Sequence, residues 1–413
     1  MQTQLNSEFA HTPDGEEAKA IVRKCVHCGF CNATCPTYQL LGDELDGPRG
    51  RIYLIKQVLE GAPATRSTQL HLDRCLTCLN CQTTCPSGVE YGHLVEIGRR
   101  IVDARVERPV SEKAMRWVLK EGLTSPLFGP ALRAGQALRR LLPPVLKQKI
   151  PQRSPRTGLP VQPRPRSRKV LMLRGCVQPS MMPNIDAATV RVLSRIGVEA
   201  VFAAGTGCCG ALRTHLSDTS GGLQDMRRNV DVWSALLNTG DFEAIIVSAS
   251  ACALAVKEYH HALAGDPDYA PRAERVSGMA RDLSEFLPEF ASALKDQVLV
   301  KGGQRLAFHA PCTLQHGQGV SGSVESHLRA LGFEISGGIA ESNLCCGSAG
   351  AYSVLQPLIA TQLRDRKLAN LDALQPACII SANVGCIQHL QSRTATPVKH
   401  WIEALDDALL PES

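Results

Sequence analysis

A chain of 413 residues that is 44% hydrophobic, 20% charged and 4% aromatic has room for two or three domains with cores of their own, which excludes a disordered or fibrous class. Its net charge of +6 is too small for this length to argue for nucleic acid, and its longest apolar runs fall short of the roughly 20 residues a membrane span needs. Seventeen cysteines behind a polar, acidic start (MQTQLNSEFAHTPDGEEAKAIVRKC) with no secretory pattern lead to the expectation of a reducing, cytoplasmic compartment, where thiols serve metal or redox chemistry rather than disulfides.

Taken in chain order, the first cysteine-rich stretch is CVHCGFCNATCP from Cys25, and CLTCLNCQTTCP from Cys75 repeats it. The segments between and after them read as helices. RGRIYLIKQVLEG places Ile52, Ile55 and Leu59 at helical spacing and stops at Gly61, and GHLVEIGRRIVDARV does the same with Val95, Ile101 and Val102. Residues 1–130 are therefore expected to be an all-α domain. From 133 to 169 the chain carries eleven Lys or Arg and no Asp or Glu, with prolines at 143, 144, 151, 155, 160, 163 and 165. Those prolines forbid a long helix, so 131–168 reads as a solvated basic linker, with a patch for anionic headgroups or an acidic partner as the alternative.

Beyond the linker, β-rich and helical runs alternate: KVLMLRG, DAATVRVLSRIG, VEAVFAAG, a helix over about 218–237, and EAIIVSA. The order recurs as RLAFHA, VESHLRALG, FEIS, a helix over about 353–371, and ACIISAN. Such alternation predicts parallel strands with crossover helices, here as two repeats at about 169–290 and 300–413. The cysteines fall in register: Cys176 with Cys312, Cys208 and Cys209 with Cys345 and Cys346, and Cys252 with Cys386.

The N-terminal stretches follow C-x2-C-x2-C-x3-C-P, the ligand run of bacterial ferredoxins, in which three thiols wrap one [4Fe-4S] cluster and the Cys-Pro thiol serves the other. The assignment is crossed: Cys25, Cys28, Cys31 and Cys85 for one cluster, Cys75, Cys78, Cys81 and Cys35 for the second. Zinc also uses C-x2-C, but in two separated pairs rather than a triplet with a distant Cys-Pro. Lys24, Arg49, Arg51 and Arg74 read as cations that cap or solvate helices, with tuning of the cluster potentials as the alternative. In the repeats, thiols that follow parallel strands converge at the strand carboxyl ends, so each set of four (Cys176, Cys208, Cys209, Cys252; Cys312, Cys345, Cys346, Cys386) is a candidate metal site. Gly210 and Gly347 are expected to let backbone approach a cluster there. Cys378, without a mate, reads as core, and His309 and His316 read as core or hydrogen-bonding groups beside Cys312, with proton transfer as the alternative.

These motifs resemble the glycolate oxidase iron-sulfur subunit family over nearly the whole chain, most specifically in CVHCGFCNATCPTYQLLGDELDGPRGRIYLIKQVLEG, HLDRCLTCLNCQTTCPSGV, LAFHAPCTLQH and LCCGSAGAYS. The resemblance implies an α + α/β protein: a helical ferredoxin-like domain followed by a tandem α/β domain of two CCG repeats. It also implies two [4Fe-4S] clusters on the eight N-terminal cysteines, with a further iron-sulfur cluster in the repeats as a second expectation. Partner subunits carrying FAD would oxidise glycolate or D-lactate, and this subunit would pass electrons towards quinone, cytoplasmic and peripheral on the inner membrane. The sequence has no nucleotide fingerprint of its own. One departure is that the CCG pattern ends in C-x2-C in heterodisulfide reductases, whereas here its first position is Ala249 or Asn383, leaving four thiols per repeat. The alternatives are a subunit of a lactate or glycerol-3-phosphate oxidising complex, a disulfide or quinone reductase acting through the repeats, and a cluster-bearing sensor.

Overall fold

The computed structural model describes residues 1–139, 168–300 and 302–411. Of the stretch expected to be a basic linker, residues 140–167 lie outside the described part. At its borders, 131–137 belong to the helix Phe128–Ala137 and Arg168 opens the first strand.

The N-terminal half is helical and built twice. Each cysteine motif begins where a helix ends: Cys25 caps Pro13–Lys24, and Cys75 follows Arg66–Asp73. Each then makes two left-handed turns, at His27 and Gly29 (φ 59° and 86°) and at Thr77 and Leu79 (φ 49° and 61°), before the short helices Phe30–Ala33 and Asn80–Thr84. Three of these four residues are not glycine, so the curl costs energy that the surrounding packing must hold in place. Long helices Pro48–Leu59 and Tyr91–Arg105 close the two units, burying Ile52, Ile55 and Leu59 against Leu94, Val95 and Val102.

Beneath them lies an ionic core. Asp46 is fully buried and receives Arg74 (2.7 Å), His71 (3.0 Å) and, at 3.5 Å, Arg51, whose guanidinium is 1% exposed and also donates to the His71 carbonyl (2.7 Å). Two buried charges must be paired this closely for either to be tolerated.

The C-terminal half holds two parallel sheets. In the first the order is β2-β1-β3-β4, with β1 Arg168–Met172, β2 Val198–Phe202, β3 Ala244–Val247 and β4 Ala280–Asp282. In the second, β5 Leu306–His309, β6 Cys378–Ser381 and β7 Val398–His400 are ordered β5-β6-β7. The expected strand FEIS is reduced to one bridge, Leu306 with Ile335, which occupies the position that β2 takes in the first sheet. The expected helix over 353–371 is broken into Tyr352–Leu355 and Pro357–Asp372, because the residue before a proline is pushed out of the helical region; Gln356 sits at φ −127°, ψ 58°. Strands β4 and β7, three residues each, were not expected.

Strands β3, β5 and β6 are buried throughout, as parallel strands covered on both faces must be. The two sheets share one core containing Val170, Ile246, Phe308, Ile380 and Trp401. Their carboxyl ends are also tied together: Ser250 N–H donates to the Ala382 carbonyl (3.0 Å), and His400 Nε2 to the Ser248 carbonyl (2.9 Å).

Replacing Asp46 with Asn keeps the shape but removes the charge that compensates Arg51. The expected cost is about 3–5 kcal/mol, read from urea unfolding of the cluster-loaded chain, whereas Glu60→Gln on the surface costs under about 1 kcal/mol.

Candidate functional site

Two cavities lie side by side in the helical half. The first, open at its mouth, is lined by Cys25, Cys28, Cys31 and Cys85, with Cys81 also in its wall. The second is lined by Cys35, Cys75, Cys78 and Cys81. In each, three thiols come from one motif and the Cys-Pro thiol from the other. Cys81, Pro48 and Tyr91 form the shared wall.

The donor set suits an iron-sulfur group. Burial pushes the Cys31 thiol up to about 11, with Cys25 adding to the shift, and burial followed by neighbouring thiols raises Cys78 and Cys81 well above the ordinary range. Thiols packed this way ionise together only against a compensating cationic centre. Cys75 differs: burial opposes its ionisation, but Arg51 and Arg99, together with hydrogen bonds from Thr77 and Tyr91, bring it below the ordinary value. Its sulfur accepts from the Thr77 amide (3.4 Å) and the Tyr91 hydroxyl (3.6 Å). Of the cations singled out in the sequence, Arg49 lines the first cavity and Arg51 the second. Lys24 is taken up by an exposed pair with Glu90 (2.6 Å), and Arg74 by Asp46. Arg99 was missed; it donates to the carbonyls of Cys75 (2.6 Å) and Leu72 (2.8 Å).

In the repeats the thiols gather at the strand carboxyl ends. Cys176, Cys208, Cys209 and Cys252 lie close enough to shift one another's ionisation, and so do Cys312, Cys345, Cys346 and Cys386. Cys176 and Cys252 are partly exposed, whereas all four of the second set are buried. Cys378 stays out of both, in the core of β6. Asn383, which stands where a fifth thiol would be, donates to the Cys386 sulfur (3.5 Å).

The expectation for Gly210 and Gly347 is corrected. Both have positive φ (88° and 87°), but a Cβ would strike helix backbone, the Gly222 carbonyl at 2.8 Å and the Ala360 carbonyl at 2.5 Å. These glycines admit a crossover helix rather than a cluster. His309 lies nearer the thiols than its reading as core suggested: its ring nitrogen, Cys346 Sγ and Cys386 Sγ are within 4.8 Å of one another, and its Nε2 is buried without a hydrogen-bond partner. His316 is anchored by the Asn343 carbonyl (2.9 Å). Lys367 was missed. It is buried, donates to the Glu341 carbonyl (2.6 Å), and acts electrostatically on Cys312, Cys345 and Cys346.

The halves meet at the second cavity. Leu76 and Cys78 pack in one apolar cluster with Cys312, Cys345, Tyr352 and Leu363. Tyr352 Oη donates to the Arg74 carbonyl (2.9 Å), and Asn80 Nδ2 to that of Asn343 (3.1 Å). A second junction stacks His93 on His261 (3.8 Å between centroids), with Glu258 at 3.1 Å from His93 and Glu17 at 2.9 Å from His261.

The whole is a two-module iron-sulfur protein, a helical ferredoxin-like unit docked on paired cysteine-rich units. Residues 21–89 match the 4Fe-4S dicluster domain, and residues 170–257 and 306–391 each match the Cysteine-rich domain. The chain is 49% identical to the glycolate oxidase iron-sulfur subunit of Escherichia coli (strain K12), over the full length of both. It is 28% identical to a probable glycolate oxidase iron-sulfur subunit of Bacillus subtilis (strain 168), covering 94% of this chain and 91% of that protein. Lactate utilization protein A of Bacillus licheniformis matches at 26% over 54% of this chain and 91% of its own length. This chain belongs to the family of glycolate oxidase iron-sulfur subunits.

His93 generates a pH test of the second junction. The hydrogen bond to Glu258 raises its pKa above the ordinary 6.5 against the pull of burial, with Glu17 and Glu96 adding to the effect. A raised imidazole stabilises fully below 6.5 and loses that contribution as pH rises through its folded value. With a third of the side chain exposed, about 1 kcal/mol or less is expected. Hydrogen exchange in the helix Tyr91–Arg105 should therefore speed up from pH 6 to pH 8, beyond its intrinsic rise, in the parent chain and not in His93→Gln.

Proposed function

We propose that this chain is the electron-carrying subunit of a glycolate-oxidising complex and that the two cavities hold two [4Fe-4S] clusters. Cys25, Cys28, Cys31 and Cys85 would ligate one, and Cys35, Cys75, Cys78 and Cys81 the other. The observation that carries the reading is the exchange of Cys-Pro thiols between cavities. When bound, such clusters supply reversible one-electron transfer, and sharing a wall keeps the two within short transfer distance.

The chain's own residues support a direction for the path. At the first cavity Cys28, Val26 and Phe30 are exposed, which supports this rim as the place where an FAD-bearing partner subunit delivers electrons. Oxidising glycolate to its 2-oxo acid releases two electrons and two protons, and the protons stay with the flavin chemistry. At the second cavity Arg51 and Arg99 offset negative charge, and Cys78 adjoins the quartet Cys312, Cys345, Cys346 and Cys386. That quartet, with His309 alongside and Lys367 supplying positive charge, is suited to a further cluster on the way to a quinone acceptor at the membrane. Glycolate rather than lactate is favoured by the full-length match to the first relative against half-length matches to the lactate proteins.

The ligand exchange is tested by single substitutions in anaerobically purified chain. Cys85→Ser and Cys28→Ser should abolish the same cluster signal in electron paramagnetic resonance, and Cys35→Ser and Cys78→Ser the other. Iron should fall by about four per chain in each. Cys35→Ser removing the signal that Cys28→Ser removes would refute the crossing. The relay itself is tested by mixing the chain with the flavoprotein subunits and glycolate: intact clusters that fail to bleach would end that reading.

A further inference from the structure

The helix Val110–Thr124 is mounted inside out. A surface helix ordinarily turns its apolar stripe to the core. No residue of this one is fully buried; of its large apolar side chains Leu119 and Leu123 are half-buried, and its polar attachments are ion pairs, Arg116 to Asp73 (3.0 Å), Lys120 to Asp218 (3.0 Å) and Glu121 to Arg213 (2.9 Å). The apolar positions Val110, Ala114, Trp117 and Val118, spaced i, i+4, i+7 and i+8, face solvent, with Val110 82% and Trp117 60% exposed. The next helix, Phe128–Ala137, repeats the arrangement. Leu127, Ala131, Ala134 and Leu138 form a second exposed stripe, while its one buried residue, Gly129, seats it against Ser180 of the first repeat.

We propose that these two helices are a docking face for an anionic lipid surface and lie in the interface without crossing it. Two observations select lipid over a protein partner. The sequence running on from this face carries eleven cations and no acid between residues 133 and 169, each cation being attracted to an anionic bilayer. An exposed Trp set among aliphatic side chains is the composition that settles at headgroup level, and no described helix is long and apolar enough to span. The proposal rests on the reading above only for why the chain would need a membrane.

The protein carries its own reporter. Trp233 and Trp401 are fully buried, so changes in indole emission belong to Trp117, with Trp117→Phe as the control. The full cluster-loaded chain is mixed with vesicles of phosphatidylglycerol and phosphatidylcholine, or of phosphatidylcholine alone. Co-sedimentation with the anionic vesicles, weakened by salt, is expected, together with a blue shift of Trp117 and its shielding from acrylamide. Val110→Ser, Val118→Ser and Leu127→Ser combined should lower vesicle binding about tenfold or more with cluster absorption unchanged. The proposal is overturned by absence of binding, by binding indifferent to these substitutions, by a Trp117 already shielded in buffer, or by loss of flavoprotein binding in their place. Clusters that fail to bleach with glycolate would leave the vesicle result standing, so the two readings fail separately.

Discussion

The helical half is organised by the requirement that eight thiols face inward on two cavities that share a wall. A single motif can turn three sulfurs towards one centre, because two left-handed residues curl the loop back on itself. Its fourth cysteine, held extended before a proline, leaves the curl and reaches the neighbouring cavity. Each cavity is therefore completed only by the other motif. The long helices Pro48–Leu59 and Tyr91–Arg105, which pack the two units together, are as much a part of the site as the thiols. The buried Asp46, Arg51, His71 and Arg74 network sits under the second cavity for the same reason. A fixed cation opposite clustered sulfurs reduces their mutual repulsion, and its own burial is tolerable only against a carboxylate.

The two cysteine-rich repeats share a topology but have diverged in surroundings. In the second, the quartet is sealed from solvent, pressed on the ferredoxin unit through Leu76 and Cys78, and supplied with Lys367 and His309. In the first, two of the thiols reach the surface, and the Cys208 and Cys209 carbonyls accept from Asn229 of the helix Thr219–Thr239 and from Tyr259 beyond β3 (2.8 and 3.0 Å). Equivalent thiols thus face different electrostatic demands. A buried group carrying net negative charge needs a cation, which is the buried Lys367 in the second repeat and the less deeply buried Arg213, acting on Cys208, in the first.

Much of this was legible because thiol spacing is a geometric statement: three cysteines at intervals of three can curl round one centre, and the crossed Cys-Pro follows from the same motif. The repeat was visible because its cysteines fall in register. What escaped had physical reasons. Strands β4 and β7 are three residues long, too short for any period to show, and FEIS has β-forming side chains but only one bridging partner. Gly210 and Gly347 were recognised as special, but sequence does not tell which neighbour needs the space; it is helix backbone. Lys367 left a signal that went unread, a lysine midway between Leu363 and Leu371 on the inward face of Pro357–Asp372. Arg99 left none, since Arg on an amphipathic helix is ordinarily solvated.

The inverted helix Val110–Thr124 bears on how the two modules are held. Burying a Val or Leu side chain contributes roughly 1.5–3 kcal/mol, and this helix forgoes that at several positions while relying on ion pairs that are individually weak. Its pairs are nonetheless placed to bridge the modules, Arg116 to Asp73 of the ferredoxin unit, and Lys120 and Glu121 to Asp218 and Arg213 of the first repeat. The best buried of them is shared, since Asp73 receives Arg108 at 2.6 Å as well as Arg116 at 3.0 Å. A helix that serves as a brace through its charged side keeps its apolar side unspent. Evolution would hardly tolerate such a stripe against aggregation unless another surface covers it in the working state. The next helix, Phe128–Ala137, seats Gly129 against Ser180, four residues beyond Cys176, so the exposed stripes lie on the side of the more exposed of the two thiol quartets.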